Sequence, residues 1–314
     1  MVALSRRLFL GAAALASLSG GSWVFRRAQL QDRAAELYAT RLTPPTAPMQ
    51  VYHLGHSLVG EDMPAMLSQM AGAGHSYHSQ TGWGTSLREH WEPEMPVNGF
   101  DRANDHARHR PARAAIGSGE YDAVVLTEMV EIADAIRYHD SPDYLARWAN
   151  LAREARPDTR VYLYETWHHT DDGTGWLNRI DRDLDKYWRR QVLYPALQQS
   201  DLPIHLIPAG QVMAAFTRAV DAAGGVGSII SLHDLFSRDE NGRPDTIHFN
   251  DQGAYLVALT HYATLYHRDP SGLPHQLTRA DGTPADTPSA EAAALMQRVV
   301  WDVVRAHPDS GVAA

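Results

Sequence analysis

Met49-Gln50-Val51-Tyr52-His53-Leu54-Gly55-His56-Ser57-Leu58 reads as a short apolar run that leads directly into a serine beside a glycine. Runs of this kind, too short for a helix and continuous in apolar character, mark strands buried on both faces of a parallel sheet. Ala123 to Thr127, Val161 to Glu165 and Ile204 to Ile207 repeat the pattern. Helical stretches lie between them. Asp143 to Ala155 opens behind Ser141-Pro142 and is stopped at Arg156-Pro157, where proline has no N–H to continue the ladder. Asp181 to Gln199 is a second amphipathic run, and Gln211 to Ala223 a third that closes at Gly224-Gly225. Four β-then-α units predict a three-layer α/β/α fold around a mostly parallel sheet.

In such a sheet the ligand crevice lies beyond the carboxyl ends of the strands. Ser57 follows the first strand, Thr127-Glu128 the second and Thr166-Trp167 the third, so all three places fall on that rim. Gly72 to Gly119 carries few periodic signals and many His, Gly and Arg residues, and is expected to be an irregular excursion framing the site. Residues 49–270 are expected to form one domain and 271–314 a C-terminal extension. Within the latter, Ser271 to Pro288 is rich in Pro, Gly and Thr, and Ala290 to Ala306 is expected to be a helix with Ala293, Leu295, Val299, Val300 and Val303 packed back on the domain.

The 314 residues carry 28 basic and 37 acidic side chains, a net charge of −9, with no basic stripe to hold a phosphate backbone, so nucleic acid is not an expected partner. Cysteine is absent, which excludes disulfides, thiolate zinc sites and a cysteine nucleophile. Ser5-Arg6-Arg7-Leu8-Phe9-Leu10 ahead of an alanine-rich stretch has the layout of a twin-arginine export signal over residues 1–30, followed by a linker over 31–48. Leu8 to Phe25 is also about long enough to span a bilayer, with Arg26-Arg27 at its far end, so cleavage and membrane retention both stay open. The expected location is periplasmic or secreted, or tethered to the membrane through that segment.

Far downstream of Ser57 comes Asp245-Thr246-Ile247-His248. A serine hydroxyl is a weak nucleophile until an imidazole takes its proton, and the imidazole needs a carboxylate to fix its tautomer and stabilise the imidazolium. These two segments supply all three groups. The Asp-x-x-His segment is expected in a turn entering the last large helix, and Ser57 at a helix N-terminus, a place that also suits a capping serine. Trp83, Trp91, Trp167 and Trp176 lie in or beside rim segments, and indole faces suit sugar rings. Trp83, between two glycines, is expected to be exposed, while Trp91 and Trp176 suit core filling equally well. His106 and His109, and His168-His169 before Asp171-Asp172, lack the helical i, i+4 pair with glutamate that marks zinc hydrolases, so no metal is expected.

Together the two motifs resemble the SGNH hydrolases, or GDSL-type esterases, over roughly Gln50 to Asp269. The resemblance implies a flavodoxin-like fold, Ser57 as nucleophile, His248 as general base, Asp245 as the orienting acid and no cofactor. His56 takes the place of the aspartate in the commoner Gly-Asp-Ser-Leu block and is expected to be a structural side chain within the turn. The oxyanion would be held by backbone N–H groups of Ser57 and of a glycine in the next block. Gly82 and Gly84 are the candidates, and Gly84 is favoured because Gly84-Thr85-Ser86-Leu87 looks like the block of polysaccharide-related members. A third donor, the asparagine of a Gly-x-Asn-Asp block after the second strand, is missing, since the chain reads Leu126-Thr127-Glu128-Met129. An ionised Glu128 would oppose an alkoxide. It is expected to be a protonated acid, an anchor for backbone amides or a receiver of substrate hydroxyls, with the last two favoured; Trp83 and Trp167 join it as expected substrate contacts. The implied activity is a serine esterase deacetylating a carbohydrate, with an acylated carbohydrate or other small ester as partner. The alternatives are an O-acetyltransferase with the same triad, and a carbohydrate-binding or assembly protein that has lost the chemistry.

Overall fold

The computed structural model describes residues 28–313. The twin-arginine pattern and the apolar stretch behind it lie outside the described residues. A helix, α1, covers 28–38, and the sheet follows: β1 (Gln50–His56), β2 (Ser76–Gly82), β3 (Ala123–Leu126), β4 (Arg160–Glu165) and β5 (Ile204–Pro208). All pair in parallel in the order β2-β1-β3-β4-β5. This is the flavodoxin-type order, with the topological switch point at β1 and β3. Val51 to His56, all of β3 and all of β5 are buried, so their continuous apolar character is what burial on both faces requires.

Helices fill both sides. On one side α2 (Asp62–Ala71), α10 (Ala209–Ala223), α11 (Asp251–Tyr266) and α12 (Ala290–Ala306) pack on Val51, Val125, Tyr162, Tyr164 and Ile207. On the other, α5 (Ala112–Ile116), α7 (Ser141–Ala155) and α9 (Tyr194–Leu197) pack on Tyr52, Leu54, Val124, Leu126, Leu163 and Leu206. The short α3 (Leu87–Trp91), α4 (Phe100–Ala103), α6 (Ile132–Tyr138) and α8 (Trp176–Asp183) sit in the connections. A small antiparallel pair, β6 (Phe236–Arg238) and β7 (Pro244–Phe249), precedes α11. Within α12 the buried stripe is Ala292, Ala293, Met296, Val300 and Val304, while Leu295, Val299 and Val303 are only half-buried at its edge.

Three expectations are corrected. The region from Gly72 to Gly119 is not irregular: it holds an edge strand, β2, and three short helices. Its sequence, Ser-Tyr-His-Ser-Gln-Thr-Gly, has no apolar run, because it pairs with one strand only, and its free side is met at Ser79 by a main-chain bridge to His109 and at Thr81 by a side chain. Asn104 accepts from the Thr81 N–H (2.9 Å) and donates to the Thr81 carbonyl (2.8 Å), standing in for a neighbouring peptide. Residues 31–48 are not all linker, since α1 buries Ala34 and its Tyr38 hydroxyl donates to the Ile204 carbonyl. The helix expected over Asp181 to Gln199 begins at Trp176 and widens to π geometry over Leu184–Leu193, just ahead of Pro195, which has no N–H to close the ordinary turn.

Many imidazoles are interior. Burial pushes His56, His75, His90, His261 and His307 down to about 4 and His205 to about 3, so all are neutral in the folded chain. Unfolded, they bind protons near 6.5. Stability from these groups is therefore complete above pH 6.5 and lost as pH falls toward 4. Buried Glu128 and Glu165, pushed up to about 7 and 8, act with the opposite sign above pH 4.5 but are outnumbered. We predict that urea unfolding followed at pH 6.5, 5.5 and 4.5 will show a steep fall, with more than one proton taken up per molecule unfolded; a flat profile would contradict neutral burial.

Candidate active site

The end of β1 is fixed before the serine is reached. His56 donates from Nε2 to the Glu128 carbonyl (2.8 Å) and accepts the Leu58 N–H at Nδ1 (3.3 Å), while its own carbonyl takes the Val59 N–H (2.9 Å). These bonds force a tight turn with Ser57 at its tip. Gly55 is required there, since a Cβ would lie 2.2 Å from the Thr127 methyl. His56 is thus a structural side chain within the turn.

The hydroxyl of Ser57 lies 3.0 Å from His248 Nε2, and His248 Nδ1 lies 3.0 Å from Asp245 Oδ2. With Nδ1–H donating to the carboxylate, Nε2 presents its lone pair to the serine hydroxyl. The other carboxylate oxygen of Asp245 accepts the N–H groups of Ile247 (2.7 Å) and His248 (2.9 Å). Burial alone would raise the Asp245 carboxyl, but those backbone bonds and the imidazole outweigh it and hold the group below the usual range, so it is ionised.

The Asp-x-x-His segment is neither a plain turn nor a helix start. It lies within β7, whose pairing with β6 runs Phe236 to Phe249 and Arg238 to Pro244, an irregular register that leaves three extra residues bulged out on β7. In a regular strand, residues three apart point to opposite faces. The bulge removes that obstacle, and the Asp245 carboxylate closes it from inside. The loop after β4 clasps it from outside: the Trp167 indole N–H donates to the Ile247 carbonyl (3.0 Å), the Thr170 N–H to the Thr246 carbonyl (2.8 Å), and His169 Nδ1 meets the Thr246 hydroxyl (2.8 Å).

Trp167 is therefore not a substrate contact. It is fully buried, and its function is to hold the strand under His248. Glu128 is not one either: it is 0% exposed, and its carboxylate accepts the Leu87 N–H (3.2 Å), the Met129 N–H (2.9 Å) and the Ser141 hydroxyl (2.7 Å), which makes it an anchor. Burial pushes its pKa up to about 7 despite those donors. Trp176 is buried, donating to the His168 carbonyl, and Trp91 packs edge-on against Trp148. Trp83 alone of the four is exposed, at 48%. One indole face rests on Gly99, where a Cβ would lie 2.2 Å from the ring, and the Trp83 N–H donates to the Asn98 carbonyl (2.7 Å), so the platform is fixed.

Gly84 follows at φ +63 in an open, exposed loop, and Gly82 pairs with His56 in the β1–β2 register, which carries this loop past Ser57. The N–H groups of Ser57 and Gly84 donate to no acceptor among the described residues. His168 is taken up by Asp183 and Arg179, and no group of three metal-ligating side chains occurs among the described residues. Residues that sequence reasoning missed include His90, whose Nε2 donates to the Gly55 carbonyl (2.8 Å), and Thr170; a buried polar partner carries no periodic signal.

No family model matches the chain, and no curated protein matches it. Among solved structures it is similar to a DUF4886 family protein from Bacteroides uniformis, at 16% identity over 83% of this chain and 96% of that one, with a TM-score of 0.49. It is also similar to a protein from Parabacteroides merdae described as a GDSL-like lipase, at 14% identity over 70% and 96% of the two chains and a TM-score of 0.43. A carbohydrate esterase family 3 protein from Talaromyces cellulolyticus gives 16% identity over 69% and 96%, with a TM-score of 0.33.

Replacing Trp167 by Phe removes one donor, orphans the Ile247 carbonyl and empties the space of one ring. We predict a loss of about 2–4 kcal/mol in urea unfolding, from the unpaired carbonyl and the cavity together, with several-fold slower reaction of Ser57 with a fluorophosphonate. Unchanged labelling would show that the clasp does not hold His248.

Proposed function

We propose that this protein is an exported serine esterase that removes acetyl groups from a carbohydrate. The observation that carries the reading is the continuous chain of hydrogen bonds from Ser57 through His248 to an ionised Asp245, at the carboxyl edge of the sheet. In this mechanism the Ser57 oxygen attacks the ester carbonyl as His248 Nε2 takes its proton. The imidazolium is stabilised by Asp245, and as the acyl C–O bond breaks the same proton goes to the departing sugar oxygen, which leaves as a hydroxyl. Backbone N–H groups of Ser57 and Gly84 receive the oxyanion. Water, activated by His248, attacks the acyl-enzyme and releases acetate. The open Trp83 face offers a surface on which a sugar ring stacks, and the absence of an apolar lid in the sequence favours a short acyl group.

The test begins with a fluorophosphonate probe on the folded full chain. Wild type should be labelled at Ser57 and Ser57→Ala should not. Asp245→Asn should keep the fold yet lower kcat by about 10³–10⁴-fold, because the imidazole then adopts the wrong tautomer. Acetate release from acetylated polysaccharides should be abolished in Ser57→Ala. Acetyl transfer to a sugar in preference to water would establish the transferase instead, and an unlabelled Ser57 beside a reactive control esterase would leave only a binding protein.

A further inference from the structure

Glu128 stands where the resemblance implies an oxyanion-donating asparagine, and none of its oxygens faces a substrate. What it does instead follows from which chain segments its bonds join. Oε1 accepts the N–H of Leu87, the first residue of α3, and the N–H of Met129; Oε2 accepts the hydroxyl of Ser141, the first residue of α7. Its main-chain carbonyl accepts the His56 Nε2–H, and the other ring nitrogen of that imidazole accepts the Leu58 N–H. One residue is therefore bonded to the segment that precedes and follows Ser57 and to the segment that follows Gly84.

Between Gly84 and Leu87 the chain has little freedom. Thr85 and Ser86 are both buried, and Ser86 caps α3 through a reciprocal pair with Glu89. A shift at Leu87 is passed to Gly84. On the esterase reading, on which this inference rests, we infer that Glu128 is the positioning residue of the oxyanion site: it sets the Gly84 N–H against the Ser57 N–H without touching substrate. Two N–H groups on different loops hold a tetrahedral oxygen only if their separation is fixed beforehand, and here a buried carboxylate fixes it.

A misplaced oxyanion donor weakens the transition state and leaves ester binding untouched, so the signature is a fall in kcat at constant KM. Glutamine keeps an acceptor for the two N–H groups and can donate to the Ser141 hydroxyl, which turns to accept. Alanine leaves three donors without a partner, two of them buried. With the full chain and p-nitrophenyl acetate, Glu128→Ala should lower kcat about 30- to 300-fold with KM within about twofold, and should weaken inhibition by phenylboronic acid, a tetrahedral mimic, by a similar factor. Glu128→Gln should stay within about threefold of wild type on both counts. A folded Glu128→Ala with unaltered kcat, an equal change in kcat and KM, or a glutamine variant as slow as the alanine one would each overturn the inference. Should Glu128→Ala fail to fold, Ser141→Ala carries the test, with kcat expected to drop about three- to tenfold at constant KM and an unchanged kcat overturning it. A wild type that hydrolyses no ester and is not labelled at Ser57 takes the esterase reading down with this one, whereas an active wild type matched by Glu128→Ala refutes only the positioning role.

Discussion

At the carboxyl ends of parallel strands the ladder stops, and the last buried carbonyl and N–H groups have no strand partner and no water. The rim of this molecule is built from side chains that answer that requirement. His90 donates to the Gly55 carbonyl (2.8 Å), His56 to the Glu128 carbonyl (2.8 Å), the Thr127 hydroxyl to the Tyr164 carbonyl (2.8 Å) and the Tyr164 hydroxyl to the Leu58 carbonyl (3.0 Å). At the end of β4, Glu165 accepts the Gln211 N–H at the start of α10 (3.2 Å), and a Cβ on Gly210 would collide with that carboxylate at 2.4 Å. Each bond ties the end of one strand to the loop of another. The loops that carry Ser57, Gly84 and Trp167 are positioned because the strand ends they leave from are tied in this way, while the Ser57 and Gly84 N–H groups meet no acceptor among the described residues.

The same requirement explains what could be read from the sequence. Strands β1, β3, β4 and β5 are buried on both faces, so their apolar runs announced them, and α7 was bounded by Ser141-Pro142 and Arg156-Pro157. β2 was illegible because its free side is met by the Asn104 side chain and by a single main-chain bridge at Ser79, which leave no mark in local composition. Ser57, His248 and Asp245 were legible as residue types suited to one chemistry, but the bulge that lets Asp245 and His248 point the same way was not. A bulge is a mismatch between two strands, and neither strand encodes it alone. Trp167 was misread for a related reason: proximity to a strand end places a residue on the rim, and only packing decides whether its ring faces the crevice or the interior.

A second device braces the rim where charge is unavoidable. Arg179, with its side chain 10% exposed, spreads its donors over Asp183 (2.7 Å), Asp172 (2.5 Å) and Glu131 (3.0 Å). These belong to α8, the loop after β4 and the loop after β3, so one planar guanidinium spans three segments with its fixed fork of donors, geometry that a lysine cannot reproduce. The loop it holds through Asp172 is the one that clasps the bulge beneath His248. Only the Asp183 carboxylate is fully buried, and there desolvation offsets much of the attraction, so the net gain in stability from the pair is small.

Two imidazoles flank Ser57, and their partners decide which can act as a base. His56 is wholly buried, gives its only proton to a carbonyl and must keep a lone pair on Nδ1 for the Leu58 N–H. A second proton would eject that N–H and place a charge where nothing compensates it, which is why burial drives the group down to about 4. His248 has the reverse arrangement. Its Nδ1–H faces an ionised carboxylate, its side chain is 47% exposed, and Nε2 is directed at the serine hydroxyl, so an added proton at Nε2 meets a counter-charge across the ring and water beside it. A histidine next to the serine in sequence is thereby confined to structure. On the esterase reading the base is His248, from a bulged strand far along the chain, and because it is not part of the turn that sets Ser57, a proton taken up there leaves that turn undisturbed.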